Sequence, residues 1–279
     1  MKKLVLIIIL VIVSISLFLS LVLSKPVKKE VSVKKNFIEE AKCLPYYKNN
    51  NIKRYQDYQK LNSNLSVADI VTRVNLNLDL PFYTNTKEAK LTNTFYTLVN
   101  KYNYLREDFV PNNLVELEAP YAREGIYLVK SARDKFYELV KKASEEGLTI
   151  RAISAYRGYT YQKRLYDKYV ENDGIAKADT YSARPGFSDH QTGLVVDVDN
   201  SINSFEGFTN TKEYQWMLAN SYKYGFILRY PEGKESITGY QFESWHYRFV
   251  GVKLAKKIKA SNLTFDEYFT RYLDFSYSS

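Results

Sequence analysis

The sequence predicts an α+β fold with a mainly antiparallel sheet and flanking helices. Three observations carry this expectation. Apolar residues recur at helical spacing in some segments and form short β-branched and aromatic runs in others, the two kinds do not follow a regular βαβ alternation, and no glycine-rich phosphate loop joins a strand to a helix.

The chain opens on Lys2 and Lys3, followed by an apolar run from Leu4 to Leu23 broken only by Ser14, Ser16 and Ser20. That is about the 20 residues a helix needs to cross a bilayer. With no Ala-x-Ala-like cleavage site, residues 1–24 read as an uncleaved membrane anchor rather than a signal peptide; a cleaved segment would make the protein secreted. Lys25, Lys28 and Lys29 follow, so positive charge lies on both sides and does not fix the orientation. Residues 25–63, rich in Lys, Asn, Gln and Tyr and including Asn49-Asn50-Asn51, read as a basic, solvated tether. Globular patterning runs from 64 to 275.

Within that unit, Val67 to Val74 suggests a short helix, and Pro81-Phe82-Tyr83 starts an irregular stretch. A stronger helix is expected from Glu124 to Glu146, where Leu128, Ala132, Phe136, Leu139, Val140 and Ala143 recur at helical spacing before Gly147. Leu148 to Ser154 reads as a strand, Tyr159 to Asn172 as a helix, and the stretch around Ala183-Arg184-Pro185-Gly186 as a loop. Leu194 to Asp199 is expected as a strand, Tyr214 to Tyr224 as a helix, and Phe226 to Tyr230 and Ser244 to Val250 as strands. Helices close the chain at Val252 to Ala260 and, after a Thr264-Phe-Asp-Glu267 capping box, to Leu273.

The net charge of +9 invites a nucleic-acid reading, but its location argues otherwise. Residues 1–60 carry twelve Lys or Arg against four Asp or Glu, which leaves about +1 for all that follows. A basic stretch beside an apolar segment suits anionic lipid or wall polymer, and no nucleic-acid-binding motif accompanies it. The single cysteine, Cys43, allows no intramolecular disulfide and reads as an incidental linker thiol. A monomer is expected.

The chain has only two histidines, each in a segment that also bears carboxylates: Ser188-Asp189-His190-Gln191-Thr192-Gly193-Leu194-Val195-Val196-Asp197, and Glu243-Ser244-Trp245-His246. A catalytic zinc site takes three nitrogen or oxygen ligands, and His190, Asp197 and His246 supply that set. A base must still move a proton from the water, and Glu243, three residues before His246, is the candidate. Both spacings are short patterns with many chance matches. On spacing alone a polar loop histidine, a capping aspartate and an exposed strand end remain the alternative.

The two segments resemble the signatures of the VanY-type and L,D-carboxypeptidase (LdcB-like) branch of the zinc D-Ala-D-Ala carboxypeptidases, whose pattern is Ser-x-His-x-x-Gly-x-Ala-x-Asp followed by Glu-x-Trp-His. The likeness extends to Ser154-Ala155-Tyr156-Arg157-Gly158, Tyr181 to Gly186, Tyr224 to Pro231 and Leu105 to Leu114, and covers roughly residues 90–255. Val195 stands where the family has Ala, and every ligand type is present. The resemblance implies the zinc fold shared with hedgehog signalling domains, one zinc ion on His190, Asp197 and His246, Glu243 as base, and Arg157 on the oxyanion. It further implies Gln162 and Ser188 as holders of the terminal D-alanine, with Tyr181, Arg184 and Trp245 lining the pocket. The implied reaction trims D-alanine from peptidoglycan stem peptides outside the cytoplasmic membrane. Hydrolysis of another wall bond, or a non-catalytic wall-binding module with structural zinc, are the competing readings.

Overall fold

A computed structural model describes residues 36–200 and 205–274; the expected anchor at 1–24 and the first part of the expected tether lie outside these. Among the described residues no helix is long and apolar enough to cross a membrane.

From Phe37 onward the tether reading fails. Helices α1 (Phe37–Lys42) and α2 (Ile52–Leu61) pack with α3 (Val67–Asn75), burying Ala41 and Tyr55 among Ile70, Val71 and Val74. The Tyr and Asn content that suggested solvation is used between helices instead. Tyr55 donates to Asn75 Oδ1 at 2.7 Å, and Asn75 Nδ2 donates to the Tyr46 carbonyl at 2.7 Å. Ser66 caps α3, its hydroxyl accepting from the Asp69 amide at 3.1 Å.

Two short strand pairs follow. β1 (Lys87–Glu88) runs parallel to β2 (Asn103–Tyr104), and β3 (Leu114–Glu116) pairs antiparallel with β4 (Tyr127–Val129). That pairing claims residues expected to be helical, so α4 spans only Lys130–Glu145. Ala132, Phe136, Leu139 and Ala143 still form its buried stripe. β5 (Arg151–Ser154) leads into α5 (Tyr159–Asp173), and after Gly174 a helix replaces the start of the expected loop, α6 (Ile175–Tyr181). Then come β6 (Val195–Asp199), α7 (Lys212–Asn220), β7 (Phe226–Leu228), α8 (Glu235–Thr238), β8 (His246–Phe249), α9 (Val252–Ser261) and α10 (Phe265–Tyr272). The capping box on α10 is present: the Glu267 amide donates to Thr264 Oγ1 at 3.1 Å, and Glu267 Oε2 accepts from the Thr264 amide at 2.8 Å.

The main sheet has the order β5-β6-β8-β7, antiparallel throughout. One core packs α4 against it through Phe136, Leu139, Val196, Val198, Phe226 and Phe249. A second, with Leu98, Ile227, Val250, Leu254, Ile258 and Phe265, joins β7 to α9 and α10. All five residues of β6 are buried, including Asp197 and Asp199.

Two arginines are fully interior, Arg229 after β7 and Arg248 on β8. Asp189 lies between them: its Oδ2 accepts from Arg229 Nε at 3.0 Å, and its Oδ1 pairs with Arg248 Nη1. Arg229 also binds Asp266 of α10 at 2.5 Å, and Arg248 Nη2 donates to the Thr97 carbonyl at 2.8 Å. Burial alone would raise the Asp189 carboxyl, but Arg248 and Arg229 hold it below the ordinary carboxylate range. Its contribution to stability is therefore full at neutral pH and lost as the pH falls through that lowered value. Replacing Asp189 with Ala leaves the buried Arg248 guanidinium without a carboxylate and takes one of two from Arg229, and should cost about 3–5 kcal/mol of unfolding free energy in a urea titration. Asp167→Ala, which breaks the exposed Lys163–Asp167 pair, should leave the urea midpoint unchanged.

Candidate active site and metal centre

The sheet register brings the site together. Asp197 on β6 pairs across with His246 at the start of β8 and with Ser154 at the end of β5. His190 reaches the same point from a short 3₁₀ turn, Asp189–Thr192, that runs into β6. Gly193 closes that turn at φ 68°, and a Cβ there would lie 2.9 Å from both Leu114 Cδ2 and Pro111 Cγ, so only glycine lets the turn meet the strand.

His190 Nδ1 donates to the Ala155 carbonyl at 2.6 Å. A carbonyl only accepts, so this bond fixes the tautomer and leaves a lone pair on Nε2, which lies 3.4 Å from Asp197 Oδ2. His246 Nδ1 is 3.6 Å from Asp197 Oδ1 and 3.0 Å from Glu243 Oε2. The two imidazoles meet edge to face at 4.8 Å. His190, Asp197 and His246 each offer one ligand atom, all within 4.8 Å of one another, and all three side chains are buried.

The donor set fits zinc on its own chemistry. His190 Nε2 and Asp197 Oδ1 are buried and have no hydrogen-bond partner among the described residues. Each such group costs about 1–3 kcal/mol unless something satisfies it. Burial and the Arg157 charge push the His190 imidazole down to about 4, so it is neutral at physiological pH. Burial acts upward on Asp197, yet His190, His246 and Arg157 hold it below the usual carboxylate range, so it is ionised. Neutral imidazole and carboxylate are the ligand forms a metal requires.

Around this set lies a cleft of about 320 Å³ lined by Arg157, Gln162, Tyr181, Ser188, Glu243 and Trp245 as well as the three ligands. The Arg157 amide donates to the His190 carbonyl at 3.4 Å and its Nη1 to Ser154 Oγ at 3.1 Å, while Nη1 lies 3.5 Å from Asp197. Gln162, in the first turn of α5, donates through Nε2 to the Ala183 carbonyl at 2.8 Å, which leaves its Oε1 unpartnered and buried. Tyr181 is held by its hydroxyl, donating to Asp173 at 2.6 Å. Trp245 both lines the cleft and packs on the main core.

Arg184 departs from the expectation. It does not line the cleft; Asp179, at 2.8 Å, and the ring of Tyr83, at 4.1 Å, draw its guanidinium away. Conversely, Tyr230 and Tyr240 form part of the cleft wall and were not anticipated. Tyr230 lies in a stretch that carries the family likeness without being marked there as a cleft residue, and Tyr240 is one of 26 tyrosines with no local pattern of its own. Asp189 was visible only as a neighbour of His190.

Fold and site together define a zinc-dependent peptide hydrolase. The family described as VanY, D-alanyl-D-alanine carboxypeptidase, matches residues 125–252. The chain is 41% identical over 181 residues to YodJ of Bacillus subtilis (strain 168), covering 62% of this chain and 66% of YodJ. The LdcB LD-carboxypeptidase structure superimposes with a TM-score of 0.63 at 37% identity, covering 67% of this chain and 91% of LdcB. A vancomycin-resistance D,D-pentapeptidase VanY in complex with Zn(II) matches at a TM-score of 0.54 and 34% identity, covering 62% of this chain and 98% of that one. The chain belongs to the VanY carboxypeptidase family, in the branch that LdcB represents.

Stripped with a chelator, the protein should take back one zinc per chain by elemental analysis. At a thousandfold excess of zinc over its Kd, the unfolding free energy should rise by about 4 kcal/mol. Asp197→Ala should abolish both effects.

Proposed function

We propose that this chain removes the C-terminal D-alanine from peptidoglycan stem peptides, with its catalytic unit outside the membrane to which Leu4 to Leu23 anchor it. The observation that carries the reading is a carboxylate, Glu243, held 3.0 Å from one histidine of a buried three-donor set on an open cleft. His190, Asp197 and His246 would hold the zinc. When bound, zinc supplies a Lewis acid that polarises the scissile carbonyl and acidifies water.

Glu243 takes the proton as the water oxygen bonds to the acyl carbon, then delivers it to the departing D-alanine nitrogen as the C–N bond breaks. Arg157 donates to the carbonyl oxygen as negative charge develops there, an interaction stronger in the transition state than in the ground state. Gln162 and Ser188 hold the terminal D-alanine; with Nε2 committed to Ala183, Gln162 presents a carbonyl that accepts a substrate N–H. Tyr181 and Trp245 wall the cleft. A binding module with structural zinc would need neither a carboxylate nor an arginine beside its metal, so their presence favours the enzyme.

The test is incubation with muramyl pentapeptide and tetrapeptide, with and without chelator, following D-alanine by mass spectrometry. Release from one of them, abolished by chelator, is expected, and the reactive peptide names the D,D or L,D class. Glu243→Ala should lower kcat by about 10²–10⁴, and Arg157→Met by about 10²–10³ with KM much less affected. A folded, zinc-loaded protein that releases D-alanine from neither peptide would rule the reading out.

A further inference from the structure

Outside the catalytic constellation one basic side chain is held in an unusual setting. Lys101 is 2% exposed, yet among the described residues no carboxylate forms an ion pair with its ammonium; Nζ donates instead to the Asp179 main-chain carbonyl at 2.5 Å and to Tyr83 Oη at 3.4 Å. Three rings surround it, with centroids 5.1 Å (Phe82), 4.9 Å (Tyr83) and 4.2 Å (Tyr240) from Nζ, an arrangement in which ring faces attract a cation. The backbone makes room for it. Gly239 has φ 75°, and a Cβ there would lie 2.5 Å from Lys101 Cε.

The nearest ring belongs to Tyr240, which is also a wall of the cleft. Tyr240 meets Tyr230 in a tilted contact at 4.9 Å, and Tyr230 meets His246 edge to face at 4.7 Å, so a chain of ring contacts runs from the buried ammonium to the metal site. The Tyr240 hydroxyl lies 3.3 Å from that of Tyr83, which is pinned from its other partner, Arg184, at 4.1 Å. We propose that Lys101 is a positioning residue: its ammonium fixes the Tyr240 ring and thereby the width of the substrate cleft opposite α5. This rests on the hydrolase reading above.

The electrostatics separate this role from simple stabilisation. Burial pushes the Lys101 ammonium down to about 8, with Asp179 acting upward and Arg184 downward. Tyr83 and Tyr240 are raised by burial and stay neutral across that range. A lysine lowered on folding is held charged at neutral pH against the preference of the fold, so its removal need not destabilise the chain. Above about pH 8 the ammonium loses its proton and the rings lose their cation.

The experiment compares the wild type, Lys101→Met and Lys101→Arg on the peptide the wild type cleaves, from pH 6.5 to 10, with zinc content and melting temperature measured alongside. Expected for Lys101→Met is a KM about tenfold higher at pH 7, with kcat within about twofold, zinc content retained and the melting temperature unchanged or raised. The wild-type KM should climb above about pH 8, Lys101→Met should show no such climb, and Lys101→Arg should restore KM without it. A Lys101→Met enzyme with wild-type KM and pH profile would overturn the proposal, as would a KM defect that comes only with lost zinc or a lowered melting temperature. A wild type that cleaves no wall peptide would count against the hydrolase reading alone. The cage is then judged by 4-fluorophenylalanine placed at position 240, a ring with no ionisable hydroxyl, whose ¹⁹F shift should titrate near pH 8 in the wild type and not in Lys101→Met; the same titration in both would overturn it.

Discussion

The site depends on a buried carboxylate clamped between two guanidinium groups. Asp189 precedes His190 in the turn, and Arg248 follows His246 by two residues on β8, so strand alternation puts His246 and Arg248 on the same face. The Asp189 bridge therefore ties the segment that carries one histidine to the strand that carries the other. Arg229 extends the tie to Asp266 on α10, and Asn100 completes it by donating to Asp266 at 2.8 Å. No disulfide serves this purpose, since the chain has one cysteine. A buried ion network of this kind is weak evidence of net stability but a strong constraint on register, because any slip leaves a charge without a partner.

The same network separates charges by role. Asp189 is surrounded by arginines and bound on both oxygens, whereas Asp197, eight residues on, keeps one oxygen unpartnered for a ligand. His190 is oriented by the backbone of Ala155, and Arg157, two residues later in the same segment, presents its guanidinium beside Asp197. One short stretch after β5 thus orients a ligand and supplies a positive donor.

Much of this was legible in sequence because it is local. The helical patterns at 130–145, 159–173 and 252–272 follow from side-chain period, and the Thr264 capping box from four residues. The two histidine segments are short motifs, each readable without knowing what packs on it. What escaped depends on distant partners. Tyr55 and Asn75 look like tether residues until the two helices that pair them are in place, and Arg184 looks like a pocket residue until Asp179 and Tyr83 claim it. Tyr230, Tyr240 and Lys101 acquire meaning only where chain segments far apart in sequence meet, and no local pattern encodes that meeting.

The N-terminal helices are tied into the same network. α3 is fastened to α10 by Arg271, which donates to Asp69 at 2.7 Å and to Thr72 at 2.9 Å, and Lys48 binds Asp274 at 2.7 Å. Helix α10 in turn carries Asp266 into the network that holds the His190 turn. From Phe37 on, the segment expected to be a free tether is therefore part of the compact unit.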